Sequence, residues 1–175
     1  MTFASMPSKW SIASCLFPRE ENPTLPGPGP HPVLIAGVIP EKRLVLAAYG
    51  SGQTNVTLAR ALEPYQIEIT QRTSYLKLTT RFDFRKAVPI EWSEEWFKPI
   101  GHNVPIIMGT LDRAQIIQAS RAMKEWNDRL TAGAAPWGAA QIAVAPAHTA
   151  IPQKASPVIV VRQRRNYSAP GKSEE

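Results

Sequence analysis

The chain has 175 residues, enough for one domain with a core of its own plus extra segments, because burial efficiency rises with size. Its 20 Lys and Arg against 14 Asp and Glu give a formal charge of +6, which favours an anionic partner (RNA, DNA or an acidic protein) without bearing on the fold. The 17 prolines exclude a helical bundle, and the single cysteine, Cys15, excludes an intrachain disulfide and a structural zinc site.

The longest apolar runs, such as VLIAGVI at 33–39, fall well short of the ~20 residues that span a bilayer. No charged-then-apolar leader precedes them, so the expectation is a cytoplasmic protein that is neither exported nor inserted in a membrane.

Residues 1–9 are small and polar with Pro7 among them, and offer too little apolar surface to offset the entropy of ordering them; they are expected to be a disordered start. Residues 10–17 carry enough apolar side chains for a first strand. The stretch PREENPTLPGPGP at 18–30 cannot be regular structure and should form a long exposed loop. Residues 33–39 and 44–49 are aliphatic runs separated by Pro40, Glu41, Lys42 and Arg43, the pattern of two buried strands joined by a short turn.

Beyond the break at Gly50, Ser51 and Gly52, residues 55–62 suit a short helical turn, 66–69 alternate as a half-buried strand does, and 75–78 suit another short strand. A further strand is expected at 87–92. Ser93 then stands where its hydroxyl would cap a short helix carrying Glu94 and Glu95 at its positive end, with Trp96 and Phe97 turned inward. From Thr110 the period changes: Ile116, Ala119, Met123, Trp126 and Leu130 repeat at three- and four-residue spacing, predicting a helix capped by Thr110 and ended by Gly133.

Residues 132–157 are rich in Ala and Pro and read as a linker; VIVVRQRR at 158–165 reads either as an added strand or as a basic tail. Short strands with one well-defined helix and no alternating strand–helix pattern predict a mainly β (α+β) domain over residues 10–131, a small barrel with a C-terminal helix, followed by an Ala/Pro-rich extension over 132–175.

CLFPREENPTLPGPGPHPVLIAGV at 15–38, followed by LVLAAYGSGQ at 44–53, resembles the front half of MazF/PemK-type toxins. That pattern is a strand, a Pro/Gly-rich loop, Gly-x-Arg-Pro with an aliphatic strand, and a strand ending in Thr-Ser. TTRFDFRKAVPIEWSEEWF at 79–97 is similar to the branch in which a T-x-F segment precedes a Pro-Trp strand and a short acidic helix. The resemblance places the fold in residues 14–112. It implies an SH3-like barrel, often a homodimer, that cleaves single-stranded RNA without metal or cofactor and is neutralised by a cognate antitoxin. The family's Arg and Thr at the scissile phosphate correspond here to His31 and Ser51, so the guanidinium is replaced by an imidazole.

Metal-free RNA cleavage needs a base for the 2′-hydroxyl proton, an acid for the leaving oxygen, and donors for the charged phosphorane. An imidazole with an ordinary pKa of about 6.5 serves as acid or base near neutrality but cannot supply a bidentate grip on phosphate. Arg19, Lys42, Arg43, Gln53 and Arg81 are the candidates for holding RNA. Ser51 keeps the family hydroxyl.

Plainer alternatives stand beside each: His31, between Pro30 and Pro32, as an exposed loop residue; Ser51 as a turn residue between glycines; Cys15 as a small buried hydrophobe; His102 and His148 as solvated. Arg162, Arg164 and Arg165 either grip phosphates or are merely solvated. Gly27-Pro28-Gly29-Pro30 lacks the Gly-Lys-Ser/Thr and the amides of a phosphate loop, which disfavours nucleotide hydrolysis. Three functions follow: a toxin-like endoribonuclease, a catalytically degenerate barrel that binds protein or nucleic acid, and a poison of a large enzyme such as a topoisomerase acting through Trp126 and the C-terminal segment.

Overall fold

Strands β1 (Ser11–Cys15), β2 (His31–Ile39), β3 (Leu44–Gly52), β4 (Gln66–Ile69), β5 (Thr80–Glu91) and β6 (Ile107–Thr110) grow out of the aliphatic and aromatic runs, and helix α1 (Arg113–Thr131) follows them. These come from a computed structural model that describes residues 5–53, 60–70, 75–135 and 137. The strands form one antiparallel sheet in the order β4-β5-β3-β2-β1-β6. The architecture is therefore mainly β with a C-terminal helix, as expected.

The predicted hairpin is β2 and β3, paired from Val33↔Tyr49 to Ile39↔Leu44. Pro40 opens a single 3-10 turn with its fixed φ, and Arg43 closes it in the left-handed region at φ 50. The Arg43 guanidinium donates to the Trp92 carbonyl at 3.1 Å and so ties this turn to the end of β5.

Strands β2 and β3 read as near-continuous apolar runs because both faces of the sheet are covered there. On one face Val33, Ile35, Val45, Ala47, Ile90, Trp92 and Phe97 pack together with Cys15. On the other, Leu34, Ala48, Phe82 and Phe84 join Ile67 of β4, Met108 of β6 and the apolar side of α1. β4 and β6 are the two edges of the sheet, so their meeting in one cluster requires the sheet to curl.

Helix α1 turns Ala119, Ala122 and Trp126 inward, with Ile116, Met123 and Leu130 beside them, as the spacing predicts. Its cap is not Thr110, which ends β6, but Asp112. The Asp112 carboxylate accepts from the Gln115 amide at 2.8 Å while the Gln115 side chain accepts from the Asp112 amide at 2.9 Å. Gly133 takes φ +97 just past the end, where a side chain would be strained.

Several expectations are corrected. Residues 75–78 are bends and irregular backbone rather than strand, β5 starts at Thr80 instead of 87, and β6 is an additional strand that the sequence reading does not include. After Ser93 there is a turn, not a helix: the Ser93 carbonyl accepts from the amides of Trp96 and Phe97, and its buried hydroxyl has no partner. Phe97 is nonetheless buried, with Trp96 packed beside it. Met6 packs against the core and Pro7 is buried, so the start is not frayed at these residues.

Of the helical turn expected at 55–62, only 60–62 are described, and they are not helical. His148 and residues 158–165, with Arg162, Arg164 and Arg165, lie outside the described residues, as does most of 132–157. Among the described residues no helix is long and apolar enough to cross a membrane.

Two irregularities shape one end of the sheet. Gly50 is required there, because a Cβ would stand 2.6 Å from both the Pro32 carbonyl and the Phe82 ring. The β3–β5 register also slips: Ala48 pairs with Ala87 but Tyr49 pairs with Asp83, leaving residues 84–86 as a bulge. Urea unfolding should show Phe82→Ala losing about 3–5 kcal/mol and Asp112→Ala about 1 kcal/mol, both with unchanged m-value.

Candidate functional site

The start of β2, the end of β3 and the start of β5 lie together, and their side chains on the Val33 face of the sheet build two adjoining depressions. The first, of about 560 Å³, is lined by Arg19, Glu20, Glu21, His31, Tyr49 and Lys86 with Phe17 and others. The second, of about 490 Å³, is lined by Ser51, Gln53, Arg60, Arg81, Arg85 and others, and again by Tyr49 and Lys86. Tyr49 and Lys86 are thus the shared wall.

His31 is the first residue of β2, opposite Cys15 of β1, and is half-buried, so the exposed-loop alternative is corrected. Its Nδ1 lies 3.4 Å from the Tyr49 hydroxyl, with the rings 5.3 Å apart. Burial lowers its affinity for a proton and raises that of the Tyr49 phenolate, so at neutral pH the imidazole is uncharged and Tyr49 keeps its hydrogen. In the tautomer in which Nδ1–H donates to Tyr49, Nε2 carries a free lone pair and is a competent base.

Ser51 sits within β3, paired with Arg81 of β5, and is not a free turn residue. Its Oγ accepts from the Gln53 side-chain amide at 2.9 Å, and that amide also donates to the Ser51 carbonyl at 2.8 Å. Accepting from Gln53 orients the hydroxyl so that its own hydrogen is the part left to donate.

The candidate cations divide. Arg19, exposed on the loop after β1, lines the first depression. Arg81 lines the second but is matched by Glu68 at 2.8 Å. Lys42 and Arg43 belong to the hairpin turn at the other end of β2 and β3, about 25 Å from His31 at ~3.4 Å per strand residue, so they are not part of this cluster.

Lys86 was missed by sequence reasoning. Its Nζ lies 5.4 Å from the centre of the Tyr49 ring, delivered there by the β5 bulge. A signal for it existed: Arg81, Phe82, Asp83, Phe84 and Arg85 alternate as a strand does, and Lys86 breaks the alternation.

Cys15 is buried, and desolvation pushes its thiol well above the ordinary range, so it packs as a hydrophobe. His102 is exposed. Among the described residues no group of three or more His, Cys, Asp or Glu is placed to hold a metal ion.

No protein-family model matches the chain, and no curated protein matches it. Solved structures do. An endoribonuclease in complex with its cognate antitoxin, from a mycobacterial species, is 14% identical over 70% of this chain and 95% of its own, with a TM-score of 0.47. A second mycobacterial endoribonuclease is 13% identical over 72% and 95%, also with a TM-score of 0.47.

The lowered proton affinity of His31 has a consequence for stability. Just below its ordinary pKa of about 6.5 the unfolded chain binds a proton that the folded protein does not, so stability falls as the pH drops through that value. NMR titration should place the His31 midpoint below 6.5, and His31→Gln should remove this part of the loss in urea midpoint between about pH 8 and pH 5.

Proposed function

We propose that the chain is a metal-independent endoribonuclease acting on single-stranded RNA. One observation carries this reading: a half-buried, uncharged imidazole and a lysine ammonium face each other across Tyr49 in an open cleft that also holds an exposed arginine.

In this reading His31 takes the 2′-hydroxyl proton, and the 2′-oxygen attacks the adjacent phosphorus to give a 2′,3′-cyclic phosphate and a free 5′-hydroxyl. Lys86 and Arg19 stabilise the charge that grows on the phosphorane, supplying what His31 cannot. Ser51 donates its hydroxyl hydrogen to a phosphate oxygen, and Gln53 orients it. Tyr49, which retains its proton, orients His31 and is the neighbouring acid for the departing oxygen. A cognate antitoxin and a homodimer go with this reading, as the resemblance to MazF/PemK-type toxins implies.

A second reading, binding without turnover, is favoured by Glu20 and Glu21, whose carboxylates line the same cleft and oppose an approaching phosphate.

Incubating the protein with a long unstructured RNA in EDTA separates the two. The ribonuclease reading expects fragments with cyclic-phosphate ends. His31→Ala should slow their formation roughly 10²–10⁴-fold and Lys86→Gln roughly 10²–10³-fold. Intact RNA in the presence of folded protein would overturn the ribonuclease reading in favour of binding.

A further inference from the structure

Consecutive residues of a β-strand point to opposite faces of its sheet. Arg85 and Lys86 break that rule, since both line the depression that contains Ser51 and Gln53. The bulge is the cause: residues 84–86 fall between the pairs Tyr49↔Asp83 and Ala48↔Ala87 and have no place in the β3 register. Bulges of this kind re-aim side chains, and here Lys86 is turned to the side that Asp83 and Arg85 already share by alternation.

Asp83 holds the extruded segment. Its buried carboxylate accepts from the Arg85 backbone amide at 2.9 Å, the Arg85 guanidinium at 3.2 Å and the Gln66 side-chain amide at 3.1 Å. Each cation is also set against an aromatic ring, Arg85 over Tyr65 at 5.5 Å and Lys86 over Tyr49 at 5.4 Å. The Arg85 side chain remains about half exposed, at 47%. Half of its surface is therefore open to a ligand.

We propose that this bulge is a binding site for the phosphodiester backbone of a single-stranded nucleic acid. Lys86 and Arg85 each take a phosphate, and Asp83 is the positioning residue that keeps them on one side. The ligand class rests on the ribonuclease reading, in which Lys86 also serves the reacting phosphate; the measurement below reads binding and not turnover. A strand passing from the His31 depression to the Ser51 depression must cross Lys86, which belongs to both. Cations in a groove with aromatic faces and amide and hydroxyl donors are the surface to which single strands bind with little sequence preference.

The test is fluorescence anisotropy with a short labelled oligodeoxythymidylate. Lacking the 2′-hydroxyl, it cannot undergo the cleavage proposed above. Affinity is read against salt concentration. Lys86→Gln and Arg85→Gln should each weaken binding and flatten the log–log salt slope by about 0.7, the value for one lost phosphate contact on a single strand. Asp83→Asn should flatten the slope too, which a purely structural role would not do, while Lys124→Gln on α1 should leave it unchanged.

Unchanged slopes in both Lys86→Gln and Arg85→Gln, or no binding by the wild type at low salt, would overturn the clamp. Neither result touches cleavage, which stands or falls on the RNA assay. Should Asp83→Asn fail to fold, the two bulge variants still decide.

Discussion

The register slip between β3 and β5 is the constraint on which the rest of the site depends. With Ala48 opposite Ala87 and Tyr49 opposite Asp83, three residues of β5 must leave the ladder, and a carboxylate must be buried to hold them. An unpaired Asp83 would be costly in that setting; joined to Arg85 and Gln66 it fixes the segment in one shape. The slip also lets Phe82 and Phe84 fill the core beneath, against Trp10 and Ile67, while Lys86 is released toward Tyr49. Core and cleft are consequences of the same two-sided segment.

The strand ends converge because Gly50 has no side chain. Its position beside the Pro32 carbonyl and the Phe82 ring brings β2, β3 and β5 close enough for His31, Tyr49 and Lys86 to share one wall. The opposite end of the same hairpin is built for closure: Arg43 is spent on the Trp92 carbonyl, and Pro40 sets the turn. One hairpin thus carries a closed, structural end and an end that opens on the cleft.

Much of the fold was legible because its signals are local and long. Two aliphatic runs around Pro40 announce a hairpin, and five apolar residues at helical spacing announce α1. β6 was hidden because IMGT is too short to show a period and forms only by pairing with β1. The first half of β5 was hidden by its charges, although they alternate with Phe82 and Phe84. Within the site, His31 and Ser51 could be proposed because a resemblance pointed to their positions. For Lys86 the broken alternation after Arg85 was the one trace in the sequence; where the bulge delivers it depends on the register of two strands, which no single stretch of sequence carries. The same reason misplaced Lys42 and Arg43 as companions of His31: their charge is visible in sequence, but their position at the far end of the strands is not.

The most direct test of the central claim, that the chemistry lies at the bulged end of the sheet, is an NMR titration of the labelled protein with a 2′-O-methyl oligoribonucleotide, which this chemistry cannot cleave. The amides of Tyr49, Ser51, Arg85 and Lys86 and the His31 imidazole should shift. Shifts confined to the turn at Lys42 and Arg43, or an unperturbed spectrum at saturating oligonucleotide, would contradict it.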